Sequence, residues 1–493
     1  MNYLKNTMLL FAALSMLTNA KAFAVIEIPS NAEPTCEVPK DILGGWFHDG
    51  ELSKGGVVKP ADALEEIFHP SQDNTLCDFY KWGAQMFLWL ASPQGNSFVF
   101  DGPDFYDVKR SEQGLILQAN TLTALNNSFN TRALKEDPID STGQAGGGGV
   151  LISQQGSLTY YGMSVNNVFA QYRTGHAAGK FKNTAIENVF PNTQEGLMLV
   201  EKFAGTRLSN GEALAMEVKT SWVDANTVTD PSRHILINAS VPQYKKISDT
   251  RWELQDEPQS KLLALVGMHV VGAVNGHPEM VWATFEHVDN APQLGFYYNN
   301  RNGRVSSRSF DSNGKWIFAE RNLPETATIN ETQVVASSRT RCVKDKTCSA
   351  GDIVATDGNL IGKNNVVRTD PWGSEPKDTQ DIRKTNTYLI SLNHSILPIL
   401  QSLGDPRGNY FQVGSVWTVD GSIPDGPLGD ELRGALSIAN ATMETFHQRS
   451  AVNEGSNQVN CFGCHKKASP DGIQPPKDSF NISHIFSDIL PLE

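Results

Sequence analysis

The chain has 493 residues, of which 39% are hydrophobic and 19% charged, a composition typical of a globular protein and not of a disordered chain. Acidic residues outnumber basic ones by 54 to 41, which gives a formal net charge of −13 at pH 7. An acidic surface repels nucleic-acid phosphates and anionic lipid head groups. The composition therefore argues against a nucleic-acid-binding or membrane-surface protein and is compatible with a basic partner protein.

The N-terminus has the three-part layout of a secretory signal peptide. Lys5 provides the positive charge, MLLFAALSML (8–17) provides the apolar core, and small residues follow at 20–24. Cleavage would remove Lys5 and Lys21 and leave the mature chain more acidic still. No later run reaches the ~18 apolar residues that a transmembrane helix requires. We therefore predict a signal peptide at 1–22, export to the periplasm and no membrane span, with the cleavage site left open.

The first clear elements are a helix and several strands. Asp78–Leu90 has large apolar residues at helical spacing, which predicts a helix with a broad apolar face. Glu212–Val223 alternates with the period of two that is typical of a half-buried strand. Leu262–Val274 and Glu279–Val288 are apolar, β-prone runs on either side of Asn275-Gly276. This dipeptide is a strong turn signal, so the two runs predict a buried hairpin.

Towards the C-terminus the pattern becomes helical again. Thr385–Leu403 is an apolar-periodic run interrupted by Pro398, and Asp430–His447 combines an acidic first turn with an apolar stripe, which predicts a second helix. Strands in the middle and helices towards both ends favour an α+β fold with a central antiparallel, β-rich body at 23–425. Residues 426–493 are expected to pack on this body as a separate C-terminal segment.

The C-terminal segment contains NCFGCHKK (460–467), with the pattern Cys-x-x-Cys-His at Cys461, Cys464 and His465. Two thiols on one helical turn have the separation needed to add to two vinyl groups of a porphyrin, and the following His can bind the iron. We therefore predict one covalent haem c. Only 28 residues follow His465, too few to enclose a porphyrin, so the preceding body must supply the walls.

Two other kinds of site share the Cys-x-x-Cys spacing. A thioredoxin-like dithiol is expected at the start of a helix within a βαβ unit, whereas a polar loop precedes this motif. A structural zinc site usually has a second Cys or His pair at similar spacing, and His484 is a lone candidate for that role. Zinc and a plain disulfide stay as alternatives to haem.

The four other cysteines suit disulfides in an exported protein. Cys342 and Cys348 are close enough in sequence to close one loop. Cys36 would then pair with Cys77 and join the N-terminal arm to the first predicted helix. The sequence leaves the two other pairings, and free buried thiols, open.

The second axial ligand of the iron is open in the sequence. Met443 lies 18 residues before Cys461, and the intervening loop could fold it over the haem. A His/Met pair suits electron transfer, whereas an open position suits peroxide or oxygen chemistry. Met443 also belongs to the apolar stripe of a predicted helix, so core packing is its plainer role. The other candidates are histidines, each of which could equally be a hydrogen-bonded core residue: His269, His287, His447 and His484.

Four segments stand out together: KWGAQMFLWL (81–90), MHVVGAVNGHPEMVWATFEHVDNAP (268–292), IANATMETFHQ (438–448) and NCFGCH (460–465). They resemble a family of large exported mono-haem c-type proteins of Gram-negative bacteria. The resemblance implies a haem c and an exported location, and it implies no particular substrate. It identifies the Cys-x-x-Cys-His residues as the haem residues. It favours His287 and Met443 over His484 as distal ligands.

The sequence thus predicts a periplasmic protein with one covalent haem that transfers electrons to or from a redox partner protein, which could be basic. Two other functions stay open. One is a haem-dependent oxidoreductase or peroxidase-like enzyme with an open sixth iron site. The other is a non-redox binding protein in which the haem only holds the chain end in place. Whether the protein is an enzyme, and its oligomeric state, are not decided by the sequence.

Overall fold

The structure is a computed structural model that describes residues 26–111, 113–119, 127–128, 144, 148–324, 327–337, 348–356, 358–448, 460–466 and 479–492. The predicted signal peptide at 1–22 and Cys342 lie outside these residues.

The α-helices are α1 Lys40–Trp46, α2 Leu76–Leu90, α3 Asn167–Ala177, α4 Gln194–Ala204, α5 Gln380–Ser402 and α6 Cys461–Cys464. The strands of the first half are β1 Pro93–Gln94, β2 Ser97–Phe98, β3 Phe105–Ser111, β4 Gly114–Ala119, β5 Asn127–Ser128, β6 Tyr160–Asn166, β7 Met216–Asp224, β8 Leu236–Val241 and β9 Tyr244–Lys246. Those of the second half are β10 Arg251–Leu254, β11 Gln259–Val274, β12 His277–His287, β13 Phe296–Asn299, β14 Val305–Arg308, β15 Val334–Ala336, β16 Ile353–Ala355, β17 Tyr410–Thr418 and β18 Leu432–Gly434.

A ten-stranded sheet forms the centre of the molecule. Its main path runs β18-β17-β12-β11-β7-β6-β3-β4, and neighbours along it pair antiparallel. The 16-residue strand β11 also pairs with β8 near its start, and β8 pairs in parallel with β5. The predicted α+β fold with an antiparallel, β-rich body is therefore confirmed.

Helix α2 packs against one face of this sheet. Thr75 donates its backbone N–H to the side chain of Asp78 at 2.7 Å, which caps the first turn. Phe87 stacks on Phe285 of β12 with ring centroids 4.4 Å apart. Gly83 allows the close approach, because a Cβ there would lie 3.0 Å from the Cβ of Ala283. The predicted helix at 78–90 is thus confirmed, and its apolar face covers β12.

The predicted hairpin is also confirmed. Strands β11 and β12 pair in antiparallel register, and Asn275-Gly276 forms the turn with Gly276 at φ 79°. The strand predicted at 212–223 begins later, at Met216, because Leu214 adopts a left-handed φ of 56° at the end of a short 3₁₀ turn. Pro398 lies inside the continuous helix α5.

The helix predicted over 430–447 is wrong. Its first part forms the edge strand β18, which pairs with β17 and ends at Gly434 with φ 94°. In the following turns, Asn440 Oδ1 accepts from the backbone N–H of Thr442, and the Thr445 hydroxyl donates to the carbonyl of Ala441. Such bonds between side chain and backbone compete with helix formation, which apolar periodicity alone does not register.

Cys36 and Cys77 form a disulfide with Cα atoms 5.4 Å apart, as predicted. It ties the N-terminal arm to the first turn of α2, and the N–H of Cys36 also donates to the hydroxyl of Ser391 on α5 at 3.2 Å. Cys348 is disulfide-bonded as well, while its predicted partner lies outside the described residues. In the part of the chain that the structure describes, no helix has the length and apolarity needed to cross a bilayer.

Replacing both Cys36 and Cys77 with Ala should lower the free energy of unfolding by about 2–5 kcal/mol, because a 41-residue separation is no longer cross-linked. Denaturant unfolding of the oxidised proteins measures this loss. Ser391→Ala is the control, since it removes only the hydrogen bond to Cys36 and should cost about 1 kcal/mol. Equal losses in the two variants would show that the cross-link does not stabilise the fold.

Candidate haem-attachment site

The Cys-x-x-Cys-His motif is held by a short, capped helix. Asn460 accepts the N–H of Phe462 at 3.0 Å and donates from its side chain to the carbonyls of Pro427 and Leu436. Phe462 is fully buried and contacts Trp282 of β12 edge to face. One residue thus caps the helix and fixes it to the chain at 427–436. Cys461 and Cys464 are both free thiols on this single turn.

His465 follows the helix and has its ring oriented by a backbone carbonyl. Its Nδ1 lies 2.6 Å from the carbonyl oxygen of Ile482, which can only accept, so Nδ1 carries the proton. Burial and, second, the neighbouring His484 lower the pKa of His465 to about 3, so the ring is neutral at pH 7. Nε2 is then the unprotonated nitrogen, which is the form that binds a metal.

The two thiols are not activated for redox exchange. Burial raises the pKa of Cys461, and the negative charge of Glu444 raises it further. The same two causes raise the pKa of Cys464. Thiol–disulfide oxidoreductases require the opposite shift, because the thiolate is the nucleophile. The raised pKa values of the two thiols, one half-buried and the other exposed, are the opposite of what a catalytic dithiol requires.

The motif packs on the face of the sheet opposite α2. Residues paired across antiparallel strands point to the same side, and one row in register runs through Met163, Lys219, His269 and Thr284 on strands β6, β7, β11 and β12. Trp282 shares this face, and its ring lies 4.4 Å from that of His465. The C-terminal segment thus covers a side of the sheet that carries both charged and aromatic groups.

His269 bridges this face of the sheet to the C-terminal segment. Its Nδ1 lies 2.8 Å from the hydroxyl of Thr284, and its Nε2 lies 2.9 Å from a carboxylate oxygen of Glu444. Burial acts to raise the pKa of Glu444, but His269 and the N–H of Asn440 outweigh it and hold this pKa at about 2. An ionised carboxylate therefore lies beside the motif at neutral pH.

Polar contacts fix the segment that contains Met443. Asn440 donates to Thr284 at 2.8 Å, and the hydroxyls of Thr442 and Ser221 lie 2.7 Å apart. Tyr161 donates its hydroxyl to the carbonyl of Thr442 at 2.8 Å. The side chain of Met443 is fully buried between these anchored neighbours.

Glu286 connects the sheet to the segment that contains Met443 through a buried ion pair and a hydrogen bond. Its carboxylate is fully buried, forms an ion pair with the buried guanidinium of Arg368, and accepts the N–H of Ala441 at 2.8 Å. Arg368 also lies over the ring of Phe411 at 5.0 Å. The buried carboxylate is thus neutralised and hydrogen-bonded, whereas Nη1 of Arg368 finds no hydrogen-bond partner among the described residues.

The structure does not bring every predicted ligand together. Cys461, Cys464 and His465 are adjacent, and Met443 lies one residue from Glu444, whose charge acts on both thiols. His287 lies elsewhere: it faces the α2 side of β12, in contact with Tyr410, which in turn contacts Phe87.

Of the three remaining candidate histidines, His484 and His269 have other partners. His484 stacks on His465 with centroids 4.0 Å apart, and its Nε2 lies 3.2 Å from the carbonyl of Cys464. His269 uses both ring nitrogens on Thr284 and Glu444. His447 lies at the end of a 3₁₀ turn that begins at Thr445.

The sequence did not predict a role at the site for two charged residues, Lys219 and Glu444. Alternation in β7 placed Lys219 on the non-core side, where a solvated lysine is the plain expectation, yet its charge acts on His465, His484 and Glu444. Glu444 was part of a motif but had no predicted role. Only knowledge of which segment covers this face of the sheet could have identified them.

No protein family, curated protein or solved structure was found to match the chain. The family resemblance of the four segments therefore stays a prediction. The residues themselves fit a c-type haem. Two free thiols lie on one helical turn, and the following neutral His has its Nδ1–H bound to a carbonyl.

Replacing Arg368 with Met should lower the free energy of unfolding by about 3–5 kcal/mol, because Glu286 would keep a buried charge without its partner. Arg308→Met is the matched control: this arginine pairs with Glu27 at the surface, and its loss should cost about 0–1 kcal/mol. Denaturant unfolding compares the two variants. Similar losses would mean that the buried pair does not anchor the C-terminal segment.

Proposed function

We propose that the protein is a periplasmic c-type haem protein that transfers electrons through one covalently bound haem. The observation that carries this proposal is the arrangement at α6. Two free thiols lie on one helical turn, and His465 beside them is neutral, with its Nδ1–H bound to the carbonyl of Ile482. Thioether attachment needs the first feature and iron ligation needs the second.

The chain's own residues would attach, orient and shield the group. Cys461 and Cys464 would form the two thioether bonds, and the carbonyl of Ile482 would fix the ring of His465 with Nε2 available to the metal. Trp282 packs against the His465 ring and limits access of water to it. When bound, the haem would supply a one-electron iron couple.

We propose Met443 as the second side chain that would hold the iron. It is fully buried, and the next residue, Glu444, lies near both thiols of the motif. His287 lies on the other face of the sheet. His484 is stacked face to face on His465, so the two rings do not point their nitrogens at one iron from opposite sides. We therefore propose His/Met coordination, which raises the reduction potential and suits electron transfer.

The proposed compartment and partner rest on the signal-like N-terminus, the disulfide and the charge. A disulfide between Cys36 and Cys77 supports an oxidising compartment such as the periplasm. A formal charge of −13 favours a basic redox partner, whose association would be faster at low salt.

Protein purified from the periplasm of a host that matures c-type haem should carry about one haem per chain that survives denaturation in SDS. Its pyridine haemochrome spectrum should be of the c type. Cys461→Ser combined with Cys464→Ser should abolish covalent attachment, because no thiol is left to add to the porphyrin. Cys36→Ala combined with Cys77→Ala is the control and should keep the haem. A colourless, zinc-containing wild-type product would overturn the proposed cofactor.

Replacing Met443 with Ala should convert the six-coordinate low-spin spectrum to one with an open position, and the ferrous form should then bind carbon monoxide rapidly. Met198→Ala is the matched control because Met198 is 53% exposed on α4. His287→Ala should also leave the haem spectrum unchanged. An unaltered spectrum in Met443→Ala would discard Met443 as the ligand.

A second candidate function is a haem-dependent oxidoreductase with an open sixth site. The observation that favours it is the hydrogen-bonded pair of His269 and Glu444 beside the motif, since such a pair can accept and deliver protons. Rapid binding of carbon monoxide to the ferrous wild-type protein would favour this function. Slow or absent binding would favour the electron carrier.

A further inference from the structure

A second group of potential metal ligands lies on the α2 side of the sheet, away from the Cys-x-x-Cys-His motif. It consists of His234, His287 and Asp289, which we name the His234 cluster. All three are buried, and one ligand atom from each lies within 4.8 Å of the other two. The sequence gives little sign of it, because His234 precedes β8 while the other two residues end and follow β12.

Both imidazoles are in the form that binds a metal. His234 Nδ1 lies 3.1 Å from the carbonyl of Leu265, so Nδ1 is protonated and Nε2 carries the lone pair. His287 Nε2 lies 3.2 Å from the carbonyl of Arg233, while its Nδ1 accepts the N–H of Asp289 at 3.2 Å. A histidine whose N–H is bound to a backbone carbonyl, with the other nitrogen unprotonated, is the usual arrangement of a metal ligand.

Acceptor atoms of the cluster lie close to one another. The two rings stack with centroids 3.7 Å apart. The unprotonated Nδ1 of His287 lies 3.8 Å from Oδ2 of Asp289, so two acceptors face each other. Arg233 donates to the other carboxylate oxygen, Oδ1, at 3.1 Å, which leaves Oδ2 directed at the histidine. A cation beside Nδ1 and Oδ2 would remove this repulsion.

We propose that the His234 cluster binds a divalent transition metal ion such as Zn²⁺ through two imidazoles and one carboxylate. Two nitrogens and one oxygen are a ligand set that zinc and related ions accept. Ligands at ~2.1 Å from Zn²⁺ lie roughly 3.4 Å apart, so binding requires the side chains to move inward and the stacked imidazoles to turn until both nitrogens face the ion. The ion would replace the hydrogen bond from the Asp289 N–H to His287, while Arg233 would keep its bond to Oδ1.

A cavity of about 720 Å³ lies next to the cluster. Arg233 and Val288, the chain neighbours of the ligands, line it together with Asn409. Three protein ligands leave a fourth position for water or a small ligand. The cavity is lined by these neighbours and not by the three ligands themselves, so a fourth ligand would have to approach the metal past Arg233 and Val288.

Zinc binding can be measured on the haem-containing protein, because elemental analysis distinguishes zinc from iron. Metal-free buffer exchange followed by titration with Zn²⁺ should give about one bound zinc per chain. His234→Ala and Asp289→Asn should each weaken zinc binding at least about tenfold, since a ligand is lost. His277→Asn is the matched control, because His277 is equally buried but bonds only to Glu279 and a backbone carbonyl. It should keep the affinity of the wild type.

X-ray absorption at the zinc edge supplies a readout that needs no variant. The wild-type spectrum should show nitrogen and oxygen ligands with two imidazoles and no sulfur. Sulfur ligands would place the zinc at the Cys-x-x-Cys motif and overturn the proposal. So would a wild-type protein that binds no zinc, or zinc affinity unchanged in well-folded His234→Ala and Asp289→Asn proteins, with circular dichroism as the check of folding. Because these outcomes do not depend on the haem, they are separate from a failure of the electron-transfer proposal.

Discussion

The buried carboxylate of Glu286 holds the central sheet and the C-terminal segment in one fixed relation. Arg368 neutralises this carboxylate, which also accepts the backbone N–H of Ala441. Movement of the Thr442-Met443-Glu444 stretch, which follows Ala441, would therefore break a hydrogen bond to a buried charge. Four residues earlier on the same face of β12, Trp282 contacts His465. One strand therefore sets the position of the motif and, through Glu286, the position of the segment that faces it. The relative positions of the residues in the candidate site are therefore set by the central sheet.

The pleat of β12 also separates the two proposed centres. Trp282, Thr284 and Glu286 point towards the C-terminal segment, whereas Phe285 and His287 point towards α2 and Tyr410. A strand whose two faces are both covered can carry two unrelated polar sites in alternate positions, provided that each buried group finds a partner. This explains why a Trp-x-Thr-Phe-Glu-His stretch combines side chains that face the C-terminal segment with a histidine that faces the other side of the sheet. Loss of His287 should therefore disturb the His234 cluster and leave the surroundings of His465 intact.

The sequence predicted those parts of the fold that local rules determine. Apolar spacing gave α2, and Asn275-Gly276 between two β-prone runs gave the hairpin, because each signal is contained within a few residues. The disulfide between Cys36 and Cys77 was one of three pairings that the even number of cysteines allowed, favoured because Cys342 and Cys348 lie close in sequence. Apolar spacing gave a wrong helix at 430–447. There the side chains of Asn440 and Thr445 form hydrogen bonds with the backbone that compete with helix formation. The His234 cluster was beyond reach, because its ligands meet only through the pairing of distant strands.

The Cys-x-x-Cys-His motif depends on contacts with distant parts of the chain. The helix of the motif is tied to residues 427–436 by Asn460, and the ring of His465 is held by Trp282 on one side and by Ile482 and His484 on the other. A four-residue helix has too few internal hydrogen bonds to be stable alone. Its orientation must therefore come from the body that it packs on. The surroundings of the motif are therefore built largely by strands and turns far from it in sequence.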